Sequence, residues 1–430
     1  MLERLFALKA HGTSVGTEVL AGATTFLTMA YIIFVNPVIL ADAGMDRGAV
    51  FTATCITAAV GSLVMGLWAN YPIALAPGMG LNAYFTYSVV LGMGQPWQVA
   101  LGAVFISGVL FLLLAVTKVR EAIINAIPTS LKLAISAGIG LFLGIIALKN
   151  AGLIAAHPAT LVTLGDVTSP PALLAVAGFL AMVALDTRRV PGAMMIAILG
   201  TTTAGVALGI SPFAGVMAPP PSLAPTFLQM DVAGAAHLGL AAIVFAFLFV
   251  DLFDNAGTLI GLAHRAGMLD DEGRLPRLNR ALIADSLAAM ASGMLGTSTT
   301  TSYIESAAGI KAGGRTGLTA VVVAALFLLA LAFSPLAASV PAYATAPALL
   351  FVACLMARSL ADIAWDDLTE AVPAMVTALA MPLTFSIAHG ISFGFIAFAG
   401  IKLLSGRVRE LTPTVAVLAA AFVLKYWLLG

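Results

Sequence analysis

A few polar side chains in an otherwise apolar chain have the types and spacing to hold a small polar solute and to move a proton. Asp251, Asp254, Asn255 and Thr258 fall at i, i+3, i+4 and i+7 in FVDLFDNAGTL (249–259), so a helix would place them on one face. Glu305 is the lone carboxylate of the hydroxyl-rich run TSTTTSYIES (297–306), and Asn82 lies in NYPIALAPGMGLNAYF (70–85). Carboxylates accept hydrogen bonds from N–H donors, while an amide both donates and accepts. A charged carboxylate at the centre of a bilayer costs about 2.5–3.5 kcal/mol on insertion scales, so acids in such a place mark function. Two acids in one pocket are costly to ionise together, which makes Glu305 and Asp251 candidates to take up a proton.

Each of these has a blander alternative. Ser302-x-x-Glu305 fits a capping box. Asn255 and Thr258 suit a hydrogen-bonded seam between helices, and Asp254 could structure the site rather than bind. Asp285, in ALIADSLAAM (281–290), could pair with any of the acids or with Ser286. Thr24, Thr28 and Tyr31 form a helical stripe that either closes one wall of a pocket or packs helices together. Tyr303 and Thr301 belong to the same second tier, and the backbone amides near Asn82 and Ile304 are candidate donors.

The elements that position these residues are membrane helices. The chain of 430 residues is 61% hydrophobic and 9% charged, with mean hydropathy +1.05. Soluble chains average about 25% charged. Apolar segments lie near 20–40, 49–68, 71–91, 97–117, 130–148, 170–185 and 191–209. After a Pro-rich stretch (211–227) they continue near 238–260, 279–295, 297–312, 316–335, 341–357, 369–388 and 390–405. The stretch 413–429 fits either a further span or an interfacial helix. With the N-terminus inside, all of the 20 Lys and Arg except Arg47, Lys149 and Lys425 fall on the cytoplasmic side. An odd number of spans per half inverts the second half, the arrangement of inverted repeats with sites at interrupted helices.

Two segments are interrupted, the third of each half. Pro72, Pro77, Gly78 and Gly80 predict an extended piece near 73–76 and a half-helix from about Gly80. The second is expected to be extended over 297–301 and helical from about Ser302. VGSLVMG (60–66) and ASGMLG (291–296) echo each other just before the two breaks. No signal peptide is expected, because 1–18 lacks an apolar core. Cys55 and Cys354 read as buried small residues. The histidines lack ligand spacing, so no metal or cofactor is expected, and zero net charge without a basic cluster excludes nucleic acid as a partner.

TTFLTMAYIIFVNPVIL (24–40), APGMGLNAYF (76–85), FVDLFDNAGTL and TTTSYIESAAG (299–309) resemble, in order, the signature stretches of AzgA-like purine permeases of the nucleobase–cation symporter group. That resemblance implies an all-α fold of 14 transmembrane segments as two inverted repeats of seven, residues 1–210 and 236–430, joined by an external linker, 211–235. It implies a core domain (20–117 and 238–335), a gate domain (130–209 and 341–405) that often supports dimers, and an elevator movement between them. It further implies proton symport of adenine, guanine or hypoxanthine across the cell membrane, with Asn82, Asp251 and Glu305 at the substrate and Asp254 beside them. The alternatives are a carrier of the same fold for xanthine, uracil or a small anion. Related uracil permeases have Glu and His where Asp251 and Asn255 stand here. Intramembrane proteolysis is disfavoured, because no Gly-x-Gly-Asp motif occurs.

Overall fold

The computed structural model describes residues 2–117, 127–237, 241–265, 268 and 276–429. Lys118, Arg120 and Arg274, expected at the cytoplasmic side, lie outside the described residues, as do the side chains of Asp254, His264 and Arg265.

The first half runs through Val15–Met29 with Ile32–Asp42, then Arg47–Val64 prolonged by a π-helical turn, Met65–Ala69. The broken third span follows, and Trp97–Thr117, Thr129–Asn150, Pro170–Thr187 and Ala193–Ala207 complete that half. Beyond the linker come Ala241–Arg265, Leu278–Leu295, the broken tenth span, Gly317–Ala330 with Ser334–Ser339, Ala342–Ala357, Leu368–Leu383 and Ile387–Leu404. Among the described residues, 8 of these stretches are long and apolar enough to cross a membrane by length and composition alone. The broken and shorter crossings complete seven before the linker and seven after it.

The breaks meet. Strand β1 (Leu75–Pro77), of the third span, pairs antiparallel with a strand of the tenth span, Thr300–Ser302, in the register Leu75↔Ser302, Ala76↔Thr301 and Pro77↔Thr300. Gly78 N donates to Thr299 O (2.9 Å) and Tyr303 N to Ala74 O (2.9 Å), so the ladder continues past both ends. Non-helical backbone survives at membrane depth only when its polar groups are satisfied within the protein. Here each half satisfies the other.

The faint echo between the halves has a physical cause. Leu75 N donates to Ser62 Oγ (3.0 Å), and Thr300 N donates to Ser292 Oγ (3.1 Å). In each half, a serine on the second helix holds the strand of that half.

The half-helices begin at Met79 and Ser306. The second starts later than expected, so Ser302 lies in the strand and cannot be an N-cap. The capping-box reading fails. A further short hairpin, β2 (Ile154–His157) with β3 (Leu161–Leu164), lies exposed after the fifth span and was not expected. The strand Thr300–Ser302 is therefore β4 in chain order.

The first span runs as one stretch, Val15–Asp42, as the sequence suggested, with a break in the regular helix at Ala30–Tyr31. Thr24 Oγ1 donates to Leu20 O (2.8 Å) and Thr28 Oγ1 to Thr25 O (2.8 Å), and Pro37 withholds an N–H one turn beyond. Back-bonded hydroxyls and proline both bend helices.

Helix contacts fall mainly into two sets, joined by smaller contacts of the first, third and eighth spans with the other set. Spans one to four pack with eight to eleven, while five to seven pack with twelve to fourteen. Backbone meets backbone closely where the second and eleventh spans cross: a Cβ on Gly317 would stand 1.9 Å from Gly66 O and 2.8 Å from its Cα. Backbone on both sides leaves nothing free to give way. Gly317→Ala is expected to destabilise the fold by about 1–3 kcal/mol, read as a lowered thermal midpoint of the purified protein in detergent.

Glu18 pins the same region from the first span. Fully buried, it accepts from Arg315 N (2.9 Å), Thr319 N (3.2 Å) and Thr319 Oγ1 (2.6 Å), filling orphan donors at the start of the eleventh span. In the other set, the fully buried Lys402 lies between Glu370 (2.7 Å) and Glu410 (2.5 Å) and donates to Thr369 Oγ1 (2.8 Å). Asp367 caps the thirteenth span there. Its carboxyl is held down at about 2, because the Thr369 hydroxyl and amide donate to it and Arg407 lies 2.7 Å away.

Residues 413–429 form a helix, Pro413–Leu429, that packs along the fourteenth span through Val415, Ala419 and Phe422, with His389 Nδ1 bonded to Tyr426 Oη. Cys55 is buried as expected. Cys354 is exposed instead, beside the exposed Leu355 and off the face of the twelfth span that buries Phe351 and Ala353.

Candidate functional site

The site is the surround of the β1–β4 pair. Four stretches of chain contribute to it: both broken spans, the break in the first span and the polar face of the eighth.

Asn82 lies in the first turns of its half-helix, its N–H donating to Gly78 O (2.8 Å). Its side chain is fully buried, and Ser298 Oγ donates to its Oδ1. That bond fixes which way the amide faces. Nδ2 is left without a partner among the described residues. A buried N–H with no acceptor costs about 1–3 kcal/mol, so an incoming acceptor here gains what the empty protein lacks.

Glu305 occupies the N-cap position of the other half-helix but makes no side-chain cap bond. Its Oε1 accepts from Tyr31 Oη at 2.7 Å, and its backbone O lies 3.4 Å from the donor Thr28 Oγ1. A phenol donating to a carboxylate is a charge-assisted bond, stronger than a neutral one. Thr28 and Tyr31 thus form the wall that the stripe suggested, and Tyr31 touches the key acid itself. Ile304, beside it, is half exposed at the mouth of the half-helix.

The eighth span packs against β4 and both half-helices. Asp251, Asn255 and Thr258 are all buried on it, as one polar face predicts. Both amide atoms of Asn255 lack a partner among the described residues, which does not suit the helix–helix seam proposed for it. Thr301 is buried in β4 with an unpartnered hydroxyl, while Tyr303 donates to Pro77 O (2.7 Å) and ties the two breaks together. Asp285 is fully buried on the ninth span, which packs chiefly on the fourth and second. The Ser286 hydroxyl offered as its partner donates instead to Leu282 O (2.8 Å).

Two contributors were underweighted by sequence reasoning. Ser298 was one hydroxyl of a run, and nothing in its spacing singled it out. Tyr31 had the i, i+4, i+7 stripe as its only signal, and nothing in that spacing showed that its hydroxyl reaches Glu305.

Chemically, the surround offers donors and acceptors to a neutral polar ring and no fixed cation, since no Lys or Arg occurs in 48–117, 238–264 or 281–310.

Known proteins are similar to this chain over nearly its full length. The adenine permease AdeP of Escherichia coli (strain K12) is 51% identical over 425 residues, covering 99% of this chain and 96% of that protein. The guanine/hypoxanthine permease PbuG of Bacillus subtilis (strain 168) is 47% identical over 437 residues, covering 99% of each. Among solved structures, the transmembrane domain of the cyanobacterial bicarbonate transporter BicA superposes with a TM-score of 0.66 at 16% identity, over 90% of this chain and 97% of that one. The fold is thus that of transporters with 14 spans in inverted repeats. The sequence pattern described as "Permease family" matches residues 16–402, and the chain belongs to that family: it is a multi-pass membrane transporter, not an enzyme.

Proposed function

We propose that the protein takes up purine nucleobases, adenine, guanine or hypoxanthine, across the cell membrane together with a proton. The observation that carries this reading is an open buried donor, Asn82 Nδ2, on one half-helix, whose strand pairs with the strand before Glu305, while the eighth span with its buried Asp251 packs against both half-helices. A neutral purine presents ring nitrogens or a carbonyl to the donor and N–H groups to the acids. The full-length likeness to permeases named for adenine and for guanine/hypoxanthine supports the same substrate class.

Asp251 and Glu305 are the acceptors in this reading, and Asn82 with the amide near Ile304 the donors. Asp254, Asp285, Asn255, Thr258, Thr301 and Tyr303 support the site. Glu305 takes the proton. The two sets of packed spans act as a core that holds the purine and a gate against which it slides, with the N-terminus in the cytoplasm and dimers formed through the gate. The division of helix contacts supports that assignment. A small anion is disfavoured, because the site brings acids and no cation.

Uptake of labelled adenine, guanine, hypoxanthine, xanthine and uracil into proteoliposomes, with and without an inward proton gradient, tests the reading. Saturable uptake of at least one purine, concentrated only with the gradient, is the expected result. Preference for uracil or xanthine, or indifference to the gradient, overturns the corresponding part.

A further inference from the structure

The first span and the tenth-span half-helix meet in a close seam. A Cβ on Gly309 would stand 2.1 Å from Thr25 Oγ1 and 2.5 Å from Ala21 O, so the half-helix is pressed onto the first span. Three residues beyond Thr25, Thr28 Oγ1 donates to the Glu305 carbonyl at 3.4 Å. Three further on, at the break, Tyr31 Oη donates to Glu305 Oε1 at 2.7 Å, and Tyr31 is itself 1% exposed. The seam sets the backbone, and one turn past Thr28 a single phenol reaches the carboxylate.

We propose that Tyr31 is a positioning residue for Glu305, its hydroxyl holding the carboxylate as an oriented, ionised acceptor, so that this one bond sets the proton concentration at which the carrier loads and releases. The proposal deepens the reading of the site as a proton-coupled purine carrier and rests on it. A phenol cannot accept a proton from the acid at ordinary pH, so it favours the charged form by donation alone. When Glu305 takes up a proton the bond loses its charge assistance, and the carboxyl gains an O–H to present elsewhere.

Other titratable groups stand on the elements packed here. The first span has Glu18, already committed to the start of the eleventh span. The eighth has Asp251 and Asp254, the ninth Asp285 and the second Cys55, while Tyr303 and Lys311 lie on the tenth span itself. Among the described residues, Tyr31 bonds Glu305 directly, its hydroxyl donating to the carboxylate.

The test is the pH profile of purine counterflow in proteoliposomes for the parent, Tyr31→Phe, and each in a Glu305→Gln background, with monodispersity measured for all. Loss of the hydroxyl is expected to move the whole profile to higher pH by about one unit, the usual worth of a hydrogen bond to a charged group. In the Glu305→Gln background the same substitution is expected to move nothing. A purely packing role would lower the rate at every pH alike and in both backgrounds, and that result overturns the proposal, as does an unshifted profile. Should Tyr31→Phe fail to fold, 3,5-difluorotyrosine at position 31 keeps the shape and strengthens the donor. It is expected to shift the profile to lower pH, and an unshifted profile there equally overturns the proposal. A parent that moves no purine sinks the functional reading and this proposal with it, whereas a parent-like profile in the variants sinks this proposal alone.

Discussion

Glu305→Gln is expected to keep purine exchange, at an affinity weakened by the loss of one charged acceptor, and to abolish concentration of purine against its gradient. A one-unit proton gradient can drive about tenfold accumulation at one proton per purine, and the variant should settle near equal concentrations inside and out. Gln keeps the Oε1 acceptor that Tyr31 Oη reaches at 2.7 Å, so the seam and the half-helix stay in place. What it loses is the ability to gain and shed a proton. Accumulation measured with counterflow in the same vesicles separates the two. Parent-like accumulation would show that the proton travels on another group, and Asp251 would be the next to neutralise.

The second large effect is expected at Asp251. It is 1% exposed on an apolar helix that packs against β4 and both half-helices. Hydrogen bonds to a charged acceptor contribute about 1.5–3 kcal/mol each. Asp251→Ala should therefore weaken equilibrium purine binding about 10–100-fold or more, without loss of a monodisperse protein, since the substitution removes a buried acid rather than a packing side chain. Asp251→Asn, which keeps one acceptor, should fall between. Unchanged affinity in Asp251→Ala would remove that residue from the binding site.

How far the sequence foretold these arrangements depends on the range of the interaction. Breaks in helices are local, and Pro72, Pro77, Gly78 and Gly80 announced the third-span break to within two or three residues. The tenth-span break was announced by hydroxyls, which tolerate both strand and helix, so its half-helix begins at Ser306 and not near Ser302. The polar face of the eighth span was legible because helical spacing alone puts Asp251, Asn255 and Thr258 together. Contacts between distant stretches were not. Tyr31 lies 274 positions from Glu305 and Ser298 lies 216 from Asn82, and no periodicity reaches so far. The pairing of Leu75–Pro77 with Thr300–Ser302 was half visible, as two extended pieces in matching places, but its register needed coordinates.

The shared strand pair has a mechanical corollary. Each half of the chain supplies one strand and one half-helix, and the hydrogen bonds between the strands join those pieces as a seam joins cloth. Neither half-helix can swing away from the other without baring backbone amides and carbonyls to hydrocarbon. On the proposed reading, a purine lodged between them is not handed from one jaw to another. What would expose it first to one face of the membrane and then to the other is a movement that carries both jaws together, like cargo in a sealed crate.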